Sequence, residues 1–161
     1  MAAAHRLGSL VAGRKIGLCW AAGEWKPERS LLPRELMPLA PISGISLVCL
    51  QRGPAYERWR ATPEGPPISD VLSTEAIAVT AAVIANLDLV ITVDTMVAHL
   101  AGAPTWLLLH DTADWRWLLD REDSPWYPTM RLFRQPARGD WASVVPEVAN
   151  ALATLQGGEG G

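Results

Sequence analysis

The sequence predicts an α/β fold, a Rossmann-like three-layer domain in which a parallel sheet is covered by helices on both faces. Three observations predict it. Apolar runs at residues 15–20, 45–50, 87–93 and 105–110 alternate with segments of helical character, the order that builds a parallel sheet through right-handed crossovers. The runs are solidly apolar rather than alternating, as strands buried on both faces are. The run at 87–93 leads through Asp94-Thr95 directly into a helix-like segment carrying His99. Such strand-to-helix junctions are where open α/β sheets present backbone N–H groups and a helix dipole to anions.

The elements follow in order. Residues 15–20 (KIGLCW) form the first strand, and a Gly/Pro loop occupies 21–29. Ser30 caps a helix over 31–40, with Pro33 in its first turn and Pro38 near its end. Residues 45–50 (ISLVCL) form the second strand, 54–59 one or two helical turns, and 61–73 a loop rich in Pro and Gly. Residues 74–86, alanine-rich, β-branched and apolar all round, predict a well-buried helix. The third strand is 87–93, a short helix spans 95–101, and 105–110 (TWLLLH) is the fourth strand. A long Trp- and Asp-rich loop covers 111–128, with one helical turn around 115–119. The more polar run 130–135 (MRLFRQ) belongs near a sheet edge, and Asp140 caps a final helix over 141–155. The expected organisation is a lead-in at 1–13, one domain over 14–155 and a disordered tail at 156–161.

Composition bounds the function. A chain of 161 residues with 49% hydrophobic and 19% charged residues suits one globular domain with a sizeable core. A net charge of -3 leaves no basic footprint and argues against nonspecific nucleic-acid binding. No apolar stretch is long enough to span a bilayer, and the start Met1-Ala-Ala-Ala-His-Arg lacks the apolar core of a signal peptide. Cys19 and Cys49 each sit inside an apolar strand, which predicts buried free thiols in a reducing, cytoplasmic setting. The G-x-G-x-x-G fingerprint is absent, the first loop offering only Ala21-Ala22-Gly23, and so is a Walker A loop, which argues against a standard NAD, FAD or P-loop site. The acidic set Asp111, Asp114, Asp120, Glu122 and Asp123 has irregular spacing and interleaved Arg116 and Arg121, so it reads as a surface loop rather than a metal site. Trp115, Trp117 and Trp126 either stack on a ligand or pin the long loop, and pinning is the preferred reading.

Five stretches resemble glycosyltransferase family 9, the ADP-heptose:lipopolysaccharide heptosyltransferases, and within it the C-terminal half of bacterial members that carry tetratricopeptide repeats. Lys15-Ile-Gly-Leu-Cys-Trp-Ala-Ala-Gly23 resembles the family's K-I-G-L-x-W-x-G, and Arg29-Ser30-Leu31 the N-R-S-[IL] after it. Leu50-Gln51-Arg52-Gly53 resembles L-Q-K-G. Val93-Asp94-Thr95-Met-Val-Ala-His99-Leu-Ala-Gly102 resembles V-D-T-x-x-x-H-L-A-G, and the stretch from Asp114 to Gln135 resembles the tail of these proteins. The resemblance covers roughly residues 14–153, and its specificity comes from five matches in order.

The resemblance implies a GT-B enzyme half that holds a nucleotide-diphosphate sugar, possibly ADP-linked, with no metal or other cofactor. It implies that Asp94, Thr95 and His99, with Arg29 and Gly23, meet the diphosphate, and that Gln51 and Gly53 line the nucleoside pocket. Bland alternatives stand beside these roles. Asp and Thr are good helix caps, His99 is a candidate core histidine, Arg29 a candidate solvated loop charge, and Gln51-Arg52-Gly53 a candidate strand-to-helix turn. The sequence also departs from the family: Ala21 and Ala22 replace loop hydroxyls, the signature is short after Gly102, and no position matches the catalytic base of the acceptor half. Two functions follow. One is donor binding with the acceptor domain supplied in trans, by another chain or a homo-oligomer partner. The other is a noncatalytic nucleotide-binding or protein-interaction module derived from a truncated transferase. The catalytic residues are unknown on either reading. Trp25, Trp115 and Trp126 are expected at an exposed rim of the contact-forming kind.

Overall fold

The computed structural model describes residues 12–158 except Trp25, 72–75, Gly102, Asp114, Leu119 and Asp120. Six parallel strands form one sheet: β1 (Arg14–Cys19), β2 (Ile45–Cys49), β3 (Ile68–Ser69), β4 (Leu89–Val93), β5 (Thr105–Leu109) and β6 (Met130–Arg134). Their spatial order is β3-β2-β1-β4-β5-β6. The chain therefore works outward from β1 in one direction, returns, and continues from β4 in the other. β1 and β4 lie side by side, with Ile16 opposite Leu89 and Cys19 opposite Thr92. Their loops leave in opposite directions, and that divergence opens the crevice where doubly wound sheets bind ligands.

Four α-helices are described: α1 (Pro54–Ala61), α2 (Ile77–Ile84), α3 (Met96–Leu100) and α4 (Trp141–Gly157). One face of the sheet packs Ile16, Leu18, Leu47, Cys49 and Ile91 against Val144, Val148 and Leu152 of α4 and against Leu36 and Leu39. The other packs Cys19, Val48, Leu50 and Val90 against Val83 and Ile84 of α2 and Val97 of α3. A third cluster joins Leu107, Leu109 and Leu132 to Trp117 from the loop after β5. Each fully buried aliphatic chain stabilises the fold by about 1.5–3 kcal/mol before the entropy of ordering it. Gly17 of β1 is part of this packing: a Cβ there would lie 2.5 Å from Leu87 and 2.6 Å from Leu50.

The apolar strands, the edge placement of β6 and the cap of α4 agree with the sequence reading. Asp140 Oδ1 accepts from the Ser143 N–H at 3.0 Å. Five details differ. The helix expected over 31–40 is a 3-10 helix at Pro33–Leu39, because two prolines remove N–H donors from so short a segment. Ser30 does not cap it: its hydroxyl accepts from the Ala22 N–H at 2.9 Å, and Glu35 instead accepts from the Leu32 N–H at 2.7 Å. The loop at 61–73 contains β3, a two-residue edge strand paired with Leu47 and Val48. The helix expected over 74–86 is described at Ile77–Ile84, and it is buried on one side only, through Thr80, Val83 and Ile84, while Ile77 is 55% exposed. The last helix runs to Gly157, into the stretch expected to be a disordered tail, and Gln156 donates to the Ser43 carbonyl at 3.4 Å. The lead-in at 1–11, residues 72–75 and residues 159–161 lie outside the described residues.

Candidate functional site

The site is built at the carboxyl ends of β1, β2 and β4. Asp94 follows β4 directly and is 5% exposed. Thr95 takes an extended conformation and its hydroxyl accepts from the Val97 N–H at 3.2 Å, so it caps α3. The same hydroxyl lies 3.3 Å from that of Thr92 and 3.8 Å from the Cys19 thiol, which ties the cap to the end of β1. Thr95 therefore does what a helix-capping residue does, at the rim position that the resemblance gives to a phosphate contact.

Asp94 is a hub. Arg29, carried in by the Pro27–Arg29 turn of the loop after β1, ion-pairs with its Oδ2 at 3.1 Å and also donates to its backbone carbonyl. Trp117 Nε1 donates to the same Oδ2 at 3.2 Å. His99, one turn along α3, brings Nε2 to 3.8 Å from Oδ1. Arg29 is thus not a solvated loop charge, and His99 is not a core histidine: its side chain is 32% exposed. The ring stacks against Trp117, with centroids 6.0 Å apart at 26°, and Nδ1 lies 2.9 Å from the Tyr127 hydroxyl. Arg29 faces the Asp94 carboxylate directly, so the field at the rim is not that of a lone anion.

Gln51 closes the β1 and β2 ends. Its Oε1 accepts from the N–H groups of Trp20 at 3.0 Å and Ala21 at 2.8 Å, and its Nε2 donates to the carbonyls of Ala21 at 3.2 Å and Arg52 at 3.0 Å. The side chain is a buried brace between two loops. Gly53, at φ +73°, makes the sharp entry to α1; a Cβ there would meet nothing within 4 Å, so the backbone angle and not crowding selects glycine. Beyond it, Tyr56 donates to Asp70 at 2.7 Å, linking α1 to the end of β3, and this hydrogen bond raises the phenol's pKa, with burial adding to it.

A concavity of about 1000 Å³ adjoins this rim. Trp20, Leu31, Arg58, Trp59 and Trp141 line it, and Gly23 is the one predicted site residue in its wall. Asp94, Thr95, His99, Arg29, Gln51 and Gly53 lie outside it. The sequence therefore located two neighbouring features without separating them: a polar cluster around Asp94 and an aromatic groove. Tyr127 and the Trp20–Trp59 edge-to-face pair, 5.7 Å between centroids, were missed; the density of aromatics in these loops was the available signal.

Trp117 pins the loop after β5, as expected, whereas Trp115 and Trp126 are 75% and 62% exposed. Trp25 lies outside the described residues, as do Asp114 and Asp120. Of the other acidic residues, Asp123 holds a two-point pair with Arg121 at 2.8 and 2.9 Å, and Asp111 pairs with Arg138 at 3.6 Å. Among the described residues no group of three His, Cys, Asp or Glu side chains is arranged to hold a metal ion, and no helix is long and apolar enough to cross a membrane.

No protein-family model matches the chain. Protein FlbA of Caulobacter vibrioides is 31% identical over 163 residues, an alignment that takes in 91% of this chain and 26% of FlbA. The E. coli heptosyltransferase WaaC, solved with ADP-2-deoxy-2-fluoro heptose, matches 96% of this chain and 47% of its own, at 24% identity and a TM-score of 0.56. The chain thus spans about a quarter of FlbA and just under half of WaaC. Six parallel strands in this order, with helices on both faces, give the chain the Rossmann-like fold of the GT-B glycosyltransferase WaaC, and the likeness that its motifs carry extends to that fold.

Proposed function

We propose that the chain is the nucleotide-sugar-binding domain of a heptosyltransferase-like glycosyltransferase, and that it binds the donor at the rim between β1 and β4. The observation that carries this reading is the meeting, at the switch point of the sheet, of Arg29 from the loop after β1 with Asp94, Thr95 and His99 from the β4–α3 junction. That is where the fold's geometry exposes N–H groups to an anion. WaaC was solved with an ADP-sugar analogue, which supports the same ligand class here. Arg29 holds Asp94, so the diphosphate is reached by the backbone after Thr95, with the His99 ring beside it on the same helix. The groove beside the partly exposed Trp59 offers aromatic surface to the rest of the ligand. No metal or cofactor is needed on this reading.

Glycosyl transfer also needs a base in line with the anomeric carbon and a surface for the acceptor. One Rossmann-like face does not supply both, so the acceptor domain acts in trans to the described residues. The exposed Met96, Trp115 and Trp126 around the rim support a contact surface of that kind, with a homo-oligomer partner as the other occupant.

The test is a calorimetric and thermal-shift screen of the purified chain against ADP-, GDP- and UDP-sugars, repeated with Thr95→Ala and His99→Ala. One nucleotide sugar is expected to bind, with affinity falling about tenfold in each variant, as loss of the Thr95 cap or of the His99 ring loosens the backbone that meets the anion. Failure of every nucleotide to bind favours the noncatalytic interaction module. Little or no turnover is expected from the chain alone; robust glycosyl transfer by it overturns the acceptor in trans.

A further inference from the structure

His99 faces a polar partner at each ring nitrogen. Nδ1 lies 2.9 Å from the Tyr127 hydroxyl, and Nε2 lies 3.8 Å from Asp94 Oδ1. The Trp117 ring stacks on the imidazole and the Tyr127 ring stands 5.6 Å away at 57°, so the side chain has little freedom to turn over. Asp94 already receives Arg29 and Trp117 through Oδ2, which leaves Oδ1 facing the ring.

A neutral imidazole has one N–H and one lone pair. A lone pair on Nε2 would point at a carboxylate oxygen and be repelled, whereas an N–H there is attracted. The proton therefore sits on Nε2, and Nδ1 carries the lone pair. Tyr127 must then donate its O–H to Nδ1. The hydroxyl has a single hydrogen, so with it committed to His99 the oxygen presents only lone pairs to the rim. A diphosphate oxygen has no hydrogen to offer such an acceptor; a sugar hydroxyl has.

We infer that Asp94 sets His99 as the Nε2–H tautomer, and that the Tyr127 oxygen, made an acceptor only, takes a hydrogen bond from a hydroxyl of the sugar rather than contacting the diphosphate. The second half rests on the nucleotide-sugar reading; the first does not. Asp94 is in this respect a positioning residue, acting through His99, and Tyr127 is a specificity residue.

The two halves are read separately. Nitrogen-edited NMR of the full chain, in the pH range where the ring is neutral and with His99→Gln to assign the signal, is expected to give the Nε2–H pattern. A dominant Nδ1–H pattern overturns the tautomer. Calorimetry with ADP-mannose and ADP then tests the ligand: Tyr127→Phe is expected to weaken ADP-mannose about three- to tenfold more than ADP, the range for one hydrogen bond. Equal loss on both, or loss on neither, overturns the sugar contact. If the parent chain binds neither compound, the sugar contact falls with the donor-site reading while the tautomer is still decided by NMR.

Discussion

His110 ends β5 at 4% exposure, close enough to Arg29, Asp111, Glu28 and Lys26 to feel their charges. Burial lowers its pKa from the ordinary 6.5, and Arg29 lowers it further, against the opposing pull of Asp111 and Glu28. Well above about 6.5 the ring is neutral in both folded and unfolded chains and adds nothing to the pH dependence. As the pH falls below that value the unfolded chain takes up a proton that the folded chain resists, so stability drops until the folded pKa has been passed. The urea midpoint is expected to fall between about pH 7 and pH 5.5, a window above the usual carboxylate range, and His110→Gln is expected to flatten that fall. An unchanged slope in the variant would show that another group carries it. Nothing in a strand-end histidine reveals how deeply the next loops bury it. His99 was the reverse case: its spacing of four from Thr95 placed both on one side of a short helix. What the sequence lacked there was Tyr127 and Trp117, which reach His99 from a loop with no periodicity to register it.

Loops, more than helices, decide the shape of the rim. The brace at Gln51 joins the loop after β2 to the loop after β1 through three backbone hydrogen bonds, with a fourth to the neighbouring Arg52 carbonyl. Gln51→Ala removes all four partners at once from a position 5% exposed. With some of the groups rescued by entering water, the expected loss is still about 2 kcal/mol or more, measured as the shift of the urea unfolding curve. A loss under about 0.5 kcal/mol would mean that the loops hold themselves. At this scale the sequence was legible wherever hydrophobicity alone decides. β1, β2, β4 and β5 are solid apolar runs with no alternative but a doubly covered sheet, and β6 announced its edge position by its two arginines. It was illegible where backbone chemistry competes with pattern. Pro33 and Pro38 turn an apolar helical pattern into a 3-10 helix, and β3 is two residues set among prolines and glycine, held only by pairing with β2. The resemblance gives Gln51 and Gly53 to a nucleoside pocket; in the structure the Gln51 amide is occupied by main chain. That distinction depends on which carbonyls the loops bring near, and spacing does not carry it.

The sheet of the described residues is packed on both faces, and the two thiols report on those faces separately. Cys19 packs on the face covered by α2 and α3, and Cys49 on the face covered by α4. Both are buried and free. Burial raises the Cys19 pKa and pushes that of Cys49 up to about 12, so neither carries appreciable thiolate in the folded state. Their strands are neighbours, Leu18 pairing with Cys49, so neither face can open without disturbing the hydrogen-bond ladder that backs the other. If that coupling holds, the chain unfolds as one cooperative unit. Pulsed alkylation at mildly alkaline pH along a urea series, with each cysteine read by mass spectrometry, is expected to find both protected in the native chain. Both should then become reactive at the same midpoint. Cys19 reacting at lower urea would show that the α2–α3 face opens on its own. Thr95 borders that face and α3 carries His99, so such opening would loosen the rim before the sheet unfolds.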